Sequence, residues 1–574
     1  MKVGSFNLIL HSHIPYCRNA GRWPHGEEWL HEAAAETYLP LLMALYELRS
    51  EKCPYKLTLS FTPVLLEQLA DPLIVEHLDE YLEEKHARAR KDIKRFEKAG
   101  EDHLAYLAKF YADRFNKIRL AFRNHYNRDI TGAFRLLQKE GFVEIAVSAA
   151  THAYLPLLER DSSIYAQLKT ALDSYLKHFS AEPRTCWLPE CGYRPAYYAD
   201  PGGNKYVKPG LEQFLEELKL RCFIAETHVL EGGQPVGKTR DEVIGPYGNI
   251  PKRYVLPLSG HTEPTYKTTH LPYWVRTPAV CVIGRDNQTG MQVWSADWGY
   301  PGDFNYREFH KKDGISGLQY WKVTGDKLDL QFKEYYDPYW AQQRVGEHSR
   351  HFVGIVEEAL IKFYQENGRF GIVAAAYDTE LFGHWWFEGV DWLKEVIRQT
   401  TKKDYLELNT VNEYIEAHQP QDVMALPEGS WGTGGGHFTW QNIENDWMWP
   451  VINDACRKME ELVERFPNAK GTLRKILNQA ARELLLLQSS DWAFLITTGQ
   501  AKEYATERFG YYKDRNNYKG HVGKFFKLVE LVQSDNFGDS VGKELGDKFW
   551  EEDKVFSDID YRDFRNREKC GNRE

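Results

Sequence analysis

Short apolar segments that end in polar residues recur through the first 380 positions of the chain, and each predicts a β-strand. The segments cover residues 6–10, 56–60, 143–147, 185–188, 222–225, 280–283 and 371–375. Most are separated by charge-flanked, helix-like stretches such as 33–48 and 162–178. Strands that alternate with helices favour a parallel sheet, and polar residues gathered at strand ends are typical of a barrel's active-site face. The pattern therefore predicts an α/β fold, a somewhat irregular (β/α) barrel.

Two regions lack strand signals. Residues 73–139 are strongly charged and helical, which predicts a helical insertion on the barrel. After residue 419, helical segments such as 453–465 and 473–487 dominate, and no strand is predicted. The predicted domains are a barrel over 1–72 and 140–419, an inserted helical domain over 73–139, and a C-terminal α-helical domain over 420–574. The charged final segment from Glu551 is expected to be loosely attached or wrapped on the surface.

Composition excludes several classes of partner. The 574 residues carry a net charge of −10, so no basic excess is available to bind nucleic acid or an anionic membrane. The apolar run at 6–10 is too short for a signal peptide or a membrane span. The eight cysteines form no CxxC pair, which favours reduced thiols and a cytoplasmic location.

Two carboxylates follow apolar strands directly. Glu190 stands in a Trp-Leu-Pro-Glu motif, and Asp378 stands in a Tyr-Asp motif that is followed by two tryptophans. A pair of carboxylates on one barrel face suits glycosidic bond chemistry, in which one acts as nucleophile or base and the other donates a proton. The alternative is that both are structural N-caps of the helices that follow.

Three histidines also stand at strand ends. His11 and His13 are two residues apart on one strand and are predicted to share a side, while His152 follows another strand. His11 and His13 could hold a metal ion with Asp378 or His152, as in zinc enzymes on related barrels, or the histidines could hydrogen-bond within a polar pocket. The sequence contains no HExxH motif and no clustered Cys/His to favour the metal.

Two glycine-rich segments suggest close contact with a ligand. The run at 432–436 lacks the Lys-Ser/Thr of a phosphate loop, so we expect it to let the backbone approach a ligand between Trp431 and Trp440. The Gly/Pro-rich loop at 231–249 follows a strand end and suits a mobile lid, and the alternative is an excursion without a role.

Four motifs resemble successive motifs of glycoside hydrolase family 57. They are His-Ser-His-Ile-Pro-Tyr at 11–16, Ala-Thr-His-Ala-Tyr at 150–154, Trp-Leu-Pro-Glu at 187–190 and Tyr-Asp-Thr-Glu-Leu-Phe-Gly-His-Trp-Trp at 377–386. Segments 294–302, 427–432 and 490–492 resemble those of the family's 1,4-α-glucan branching enzymes. The resemblance runs in order from near residue 3 to beyond residue 500.

The resemblance implies a (β/α)7 barrel with an inserted helical domain and a C-terminal helical domain that contributes to the substrate cleft. It also implies a retaining mechanism with Glu190 as nucleophile and Asp378 as acid/base, and neither a metal nor another cofactor. Retention places the two carboxyl groups about 5–5.5 Å apart. The residues implied in glucan contact are Arg285, Gly302, Trp431 and Asp491, with His11, His13 and His152 on sugar hydroxyls or carboxylates, Trp294 and Trp440 as stacking neighbours, and Tyr247 at the lid tip.

The function that follows is that of a cytoplasmic, monomeric branching enzyme. It would cut an α-1,4 linkage, hold the fragment on Glu190 and pass it to a 6-hydroxyl, with α-1,4-glucan as both donor and acceptor. One alternative is an α-amylase or 4-α-glucanotransferase of the same family, whose members share the carboxylate pair. A second is a glucan-binding protein without turnover.

Overall fold

The computed structural model describes residues 2–22, 24–199, 206–233, 244–245, 248–249, 265–295, 299–325, 328–534 and 539–568. Its main sheet has ten strands. In chain order they are β1 (Gly4–Ser12), β2 (Leu57–Phe61), β3 (Val143–Ser148), β4 (Thr185–Trp187), β5 (Cys222–Ala225), β6 (Tyr273–Val275), β7 (Cys281–Gly284), β8 (Gly371–Asp378), β9 (Leu406–Leu408) and β10 (Val423–Met424).

The sheet runs in the order β8-β1-β2-β3-β4-β5-β7-β6-β10, with β9 paired to β1. All seven strands predicted from the sequence are present, and they form the uninterrupted parallel part of this path from β8 to β7. The sheet curls, and backbone hydrogen bonds from Asp286 to Ala374 (2.9 Å) and from Ile372 to His270 (3.0 Å) join the two ends of the curl. The predicted α/β barrel is therefore confirmed, and the parallel pairing places the carboxyl ends of its strands at one edge.

The helices follow the predicted alternation with the strands. They are α1 (Glu27–Ala33), α2 (Leu39–Ser50), α3 (Pro63–Leu69), α4 (Pro72–Ala99), α5 (Asp102–Leu120), α6 (Ile130–Lys139), α7 (Asp161–Phe179), α8 (Leu211–Glu217), α9 (Thr227–Glu231), α10 (Asn287–Trp294), α11 (Pro338–Asn367), α12 (Gly389–Thr400), α13 (Val411–Ala417), α14 (Met448–Arg465), α15 (Gly471–Leu487), α16 (Ser490–Thr498), α17 (Lys502–Phe509), α18 (Gly520–Gln533) and α19 (Asp539–Glu552).

The charged region between β2 and β3 is helical, as predicted. Helix α4 is capped by Gly100, whose φ of 73° lets the chain turn back into α5. The resulting helix hairpin packs on the segment that follows α10. The Tyr111 hydroxyl donates to the carbonyl of Gln319 (2.5 Å), and the Tyr320 hydroxyl donates to Asp92 (2.7 Å). Within the described ranges, no helix has the length and apolarity that a membrane crossing needs.

The C-terminal region differs from the prediction in two respects. It is mainly helical, but β10 adds to the sheet edge, and a small hairpin pairs Tyr511–Asp514 with Asn517–Lys519. Of the two expectations for the final segment, loose attachment is wrong for residues 551–568. Its apolar side chains are buried, and Arg482 donates hydrogen bonds to the carbonyls of Val555 and Phe556. The buried members are Val555, Phe556, Ile559, Tyr561 and Phe564. Charged neighbours in the sequence hid these apolar anchors.

Because Phe564 is completely buried, we predict that Phe564→Ala lowers the free energy of unfolding by about 3–5 kcal/mol. The matched control is Arg565→Ala, since Arg565 is exposed and should change stability by no more than about 0.5 kcal/mol. Urea denaturation followed by tryptophan fluorescence measures both. Equal midpoints for the two variants would show that the final segment does not support the fold.

Candidate active site

Glu190 lies in a backbone conformation that few non-glycine residues adopt. After β4 the chain enters a 3-10 turn, Pro189–Cys191, in which Glu190 has a φ of 60° and Cys191 a φ of 49°. This left-handed conformation costs about 1–2 kcal/mol per residue. Hydrogen bonds hold it in place: the Cys191 N–H donates to Leu188 O (2.9 Å), and the Trp431 N–H donates to Glu190 O (3.1 Å). The strain is therefore stored at the candidate nucleophile.

The Glu190 carboxylate is held by residues from two other parts of the chain. The indole N–H of Trp431 donates to one carboxylate oxygen. The other oxygen lies 4.0 Å from Nδ1 of His152. Trp431 is positioned in turn by an edge-on contact with Trp187, with ring centroids 5.3 Å apart. The carboxylate thus has a fixed orientation, and 17% of the side chain is exposed.

Asp378 is the last residue of β8 and stands beside His11 in the parallel register. It precedes a short turn, Thr379–Leu381, but its side chain makes no capping hydrogen bond there. Glu190 lies inside its own turn, not at the N-cap position. The structure therefore does not support the alternative in which both carboxylates are helix caps.

The thiol of Cys191 shows that the two carboxylates share a neighbourhood. Its pKa is raised well above the usual value, first by burial and then by nearby negative charges, which include those of Glu226, Glu190 and Asp378, while Arg285 opposes the rise. These charges converge on the carboxyl edge of the sheet. The expected separation of about 5–5.5 Å between the carboxyl groups of Glu190 and Asp378 stays a prediction.

The three predicted histidines come together in one polar network. Nε2 of His11 lies 3.1 Å from Nε2 of His152, and His11 Nδ1 lies 3.1 Å from the Ser60 hydroxyl. Nδ1 of His152 lies 2.9 Å from the Ser490 hydroxyl. Burial lowers the pKa of both His11 and His152 well below the usual value, so both rings are neutral. Each neutral ring has one donor and one acceptor nitrogen, which allows a nitrogen-to-nitrogen hydrogen bond.

His13 joins the barrel to the C-terminal helical region. Its Nε2 lies 2.9 Å from Asp491 Oδ1, and its Nδ1 lies 2.9 Å from the Thr62 hydroxyl. Among the described residues, His13, His152 and Asp491 could hold a metal ion, because their ligand atoms lie within 4.8 Å of one another. His11 and Asp378, which the sequence also offered as ligands, do not belong to this group.

Arg285 follows β7 and is held over the same cleft. Its guanidinium lies 3.0 Å from Glu226 Oε2 and 5.4 Å from the ring centre of Trp431. Burial alone would lower the pKa of Arg285, but the charge of Glu226, the nearby Cys191 and the hydrogen bond to Glu226 together raise it above the usual value. Its Nε is buried and has no hydrogen-bond partner among the described atoms. Buried donors without a partner are rare in proteins, which marks Arg285 as a residue of special function in this cleft.

The other predicted contact residues occupy different environments. Trp294 ends α10 and is partly buried, with its ring centroid 5.8 Å from that of Trp385. Gly302 is exposed at the end of the turn Tyr300–Gly302. Asp491 opens α16 and accepts from Ser489 (2.5 Å) as well as facing His13. Tyr247 lies outside the described residues.

Trp440 does not present a ring face in this structure. Only 1% of the residue is exposed, and its ring stacks on Tyr154 with centroids 4.0 Å apart. A Cβ on Gly432 would lie 2.6 Å from the Trp440 ring. The absence of a side chain at Gly432 thus lets the glycine run pack over Trp440, which supports the turn behind Trp431. The prediction that Trp440 serves as a stacking platform for glucan is therefore wrong.

Sequence reasoning missed Glu380, which is buried two residues beyond Asp378. Its Oε1 accepts hydrogen bonds from the His13 N–H (3.1 Å) and from the Tyr38 hydroxyl. Burial raises the pKa of Glu380 to about 8, and the charge of Asp378 adds to the rise. In its protonated form Glu380 therefore connects the end of β8 to the residue after β1 and to the turn that precedes α2. Glu380 stands in the same strand-end motif as Asp378, and the sequence analysis assigned the function of that motif to Asp378 alone.

We predict that two substitutions of Glu380 differ in how much they lower the free energy of unfolding. Glu380→Gln keeps the acceptor oxygen and mimics the protonated acid, so the fold should survive. Glu380→Ala leaves two buried donors without an acceptor, at a cost of about 1–3 kcal/mol each. Urea denaturation at pH 5 measures both, and equal losses of stability would contradict the proposed linkage.

The pH dependence gives a second measurement on the same variants. The unfolded chain releases the Glu380 proton near pH 4.5, whereas the folded protein holds it up to a pKa of about 8. The contribution of Glu380 to wild-type stability should therefore fall between pH 4.5 and pH 8. Glu380→Gln does not titrate, so its stability relative to wild type should rise over this range. Parallel pH profiles would show that Glu380 is already ionised in the folded protein.

Two family models match the chain. Residues 7–427 match glycosyl hydrolase family 57, and residues 451–564 match the C-terminal region of 1,4-alpha-glucan branching enzymes. A 1,4-alpha-glucan branching enzyme of Thermococcus kodakarensis is 44% identical over 534 residues, which cover 92% of this chain and 75% of the relative.

Solved structures share the whole architecture. A crystal structure of the GH57 branching enzyme of Thermococcus kodakaraensis, in complex with glucose and additives, superposes with a TM-score of 0.87 at 40% identity and covers 98% of this chain and 97% of that one. The α-amylase AmyC of Thermotoga maritima superposes with a TM-score of 0.80 at 30% identity, covering 98% of this chain and 99% of that one. The chain therefore belongs to glycosyl hydrolase family 57.

Proposed function

We propose that this protein is a 1,4-α-glucan branching enzyme that works by retaining double displacement. The observation that carries the proposal is the fixed Glu190 carboxylate, held on the barrel by a tryptophan of the segment that leads into the branching-enzyme C-terminal region. The branching activity of the relatives that cover most of this chain supports the assignment. The α-glucan is both donor and acceptor.

In the first step, a Glu190 oxygen attacks the anomeric carbon of a glucosyl unit in an α-1,4 chain. The bond from that carbon to the departing O4 breaks, and Asp378 gives its proton to O4. The part of the chain that carries O4 leaves, and the other part remains bound to Glu190 as an ester. The Trp431 N–H and the left-handed turn hold the attacking carboxylate before substrate arrives, so little reorganisation is needed.

In the second step, Asp378 takes the proton of an acceptor 6-hydroxyl, whose oxygen attacks the same anomeric carbon. The ester bond to Glu190 breaks, and an α-1,6 linkage forms with retained configuration. We propose that the neutral pair His11 and His152, the hydrogen-bonded pair His13 and Asp491, and the guanidinium of Arg285 supply donors and acceptors for sugar hydroxyls. The carboxylates of Glu190 and Asp378 account for both steps, and we propose that neither a metal nor another cofactor takes part.

Transfer must compete with hydrolysis by water. An acceptor bound beside the intermediate gains from proximity, provided that the site stays relatively dry. We propose that the half-buried rings of Trp431 and Trp294 hold the acceptor and that Tyr247 belongs to the covering lid. The similarity to the Thermotoga α-amylase favours one second candidate, in which the same carboxylates mainly hydrolyse the chain.

The cellular setting is also part of the proposal. Seven cysteines of the described residues are free, and six of them are buried, which supports a reducing, cytoplasmic location. A net charge of −10 gives no support for a nucleic-acid partner. We propose a monomer that acts in the synthesis of a glycogen-type glucan.

Product analysis on amylose tests the proposed function. The purified protein is incubated with linear amylose, and the product is treated with a debranching enzyme before its chains are sized. We predict short chains that appear only after debranching, with few new reducing ends. Reducing ends without debranchable chains would identify an α-amylase, longer linear chains would identify an α-1,4 transferase, and unchanged amylose would indicate a binding protein.

Glu190→Gln is the matched control because it keeps the shape of the side chain and removes the nucleophile. Its turnover should fall by a factor on the order of 10³ or more, while affinity for glucan is retained. Trp431→Ala should weaken glucan binding because it removes ring area. It should also slow turnover because it removes the N–H that holds Glu190. Similar kinetics for both variants would contradict the assigned roles.

A further inference from the structure

A row of aromatic rings lies on elements that do not carry Glu190 or Asp378. Its members are Trp321, Tyr335, His103 and Tyr106, here called the aromatic row. His103 and Tyr106 belong to α5 of the helix hairpin, and Trp321 and Tyr335 belong to the segment between α10 and α11. Tyr335 is 47% exposed and Tyr106 is 50% exposed, and His103 between them is also exposed.

The two tyrosine-rich strands of this segment explain why the rings face outward. Residues 320–322 and 334–336 pair as a short antiparallel ladder, with Trp321 opposite Tyr335. Side chains alternate between the two faces of such a ladder. Tyr320 and Tyr336 are accordingly buried, at 0% and 2% exposure, and Tyr320 is bonded to Asp92 of α4. The inward rings anchor the ladder, so the outward rings have a rigid base.

The spacing of the row is regular. Ring centroids are 6.2 Å apart from Trp321 to Tyr335, 6.2 Å from Tyr335 to His103, and 6.0 Å from His103 to Tyr106. Successive ring planes are inclined by 39°, 37° and 38°. The His103 ring is fixed because its Nε2 lies 2.8 Å from the carbonyl of Tyr336.

We propose that the aromatic row is a second binding site for an α-1,4-glucan chain, separate from the catalytic cleft. Sugar rings present apolar faces that stack on aromatic side chains and hydroxyls that need polar edges, and Tyr, Trp and His provide both. An α-1,4-linked chain repeats one sugar ring after another, and a row of evenly spaced rings presents one stacking surface after another to such a repeating ligand. The choice of ligand rests on the proposed function.

The polar edges of the row have free hydrogen-bonding capacity. No hydrogen bond is formed by the hydroxyl of Tyr106 or of Tyr335 within the described part of the chain. The Lys311 ammonium lies 4.4 Å above the Trp321 ring and covers that end of the row. Tyr335, His103 and Tyr106 are therefore the open platform. A prearranged platform binds a polymer with little loss of side-chain entropy.

The role of this site would be to hold a long glucan near the enzyme while another part of it enters the cleft. Binding at two linked positions raises the effective concentration of the chain at the second position. The effect should be strong for glycogen or long amylose and should disappear once the glucan is too short to span both sites. In this proposal the helix hairpin of α4 and α5 contributes to glucan binding as well as to packing.

The test uses the full-length protein with Tyr106→Ala and Tyr335→Ala combined. The control is Tyr511→Ala, because Tyr511 is similarly exposed at 44% and lies on the C-terminal hairpin. Native gels containing glycogen measure retardation in the Glu190→Gln background, so that the polymer is not remodelled during the run. We expect the double variant to raise the apparent Kd for glycogen about tenfold and the control to match its parent.

Activity measurements complete the test in the wild-type background. The double variant should keep wild-type reducing-end release from a short maltooligosaccharide and lose activity on dilute long amylose. Unchanged retardation by glycogen, or equal loss in Tyr511→Ala, would overturn the proposal. So would a wild-type dimer in sedimentation that the double variant converts to a monomer, since the row would then be a self-association surface.

Failure of the proposed function gives a different result. If wild-type protein forms no branches on amylose but is retarded by glycogen through Tyr106 and Tyr335, the second binding site stands and the branching assignment fails. If the protein branches amylose and the double variant binds glycogen as tightly as its parent, the branching assignment stands and the second binding site fails.

Discussion

The contact between Glu190 and Trp431 is the constraint on which the active site depends. The indole N–H of Trp431 holds the carboxylate, and its backbone N–H holds the carbonyl of the same residue. The left-handed turn at Glu190 costs energy that these bonds offset. Tyr193 and Gly429 add two reciprocal backbone hydrogen bonds of 2.8 and 3.1 Å between the same two segments. The barrel therefore cannot present Glu190 correctly without the segment at 427–440.

The histidine network extends this dependence across the cleft. His152 bonds to Ser490, and His13 bonds to Asp491, so the start of α16 is fixed to the ends of β1 and β3. The catalytic edge of the sheet and the C-terminal helices are thus parts of one site. This explains in physical terms why the branching-enzyme C-terminal region accompanies the family 57 barrel in this chain.

Local patterns in the sequence predicted the strands and the positions of Glu190 and Asp378, because a buried parallel strand is apolar throughout and ends at a defined polar residue. Long-range burial could not be read in the same way. Trp440 was expected to be a platform, but Tyr154 and the glycine run cover it. The pKa of Glu380 is high because the carboxyl group is buried, and its hydrogen-bond partners Tyr38 and His13 are remote from it in the sequence.

The most direct test of the account is to identify the residue that forms the covalent intermediate. A fluorinated α-glycosyl fluoride that forms the intermediate faster than it releases it should trap the sugar on the enzyme, and peptide mass spectrometry then locates the label. The account predicts one glycosyl group on Glu190, and none on the Glu190→Gln variant. A label on Asp378, or complete turnover of the reagent without any labelled peptide, would contradict it.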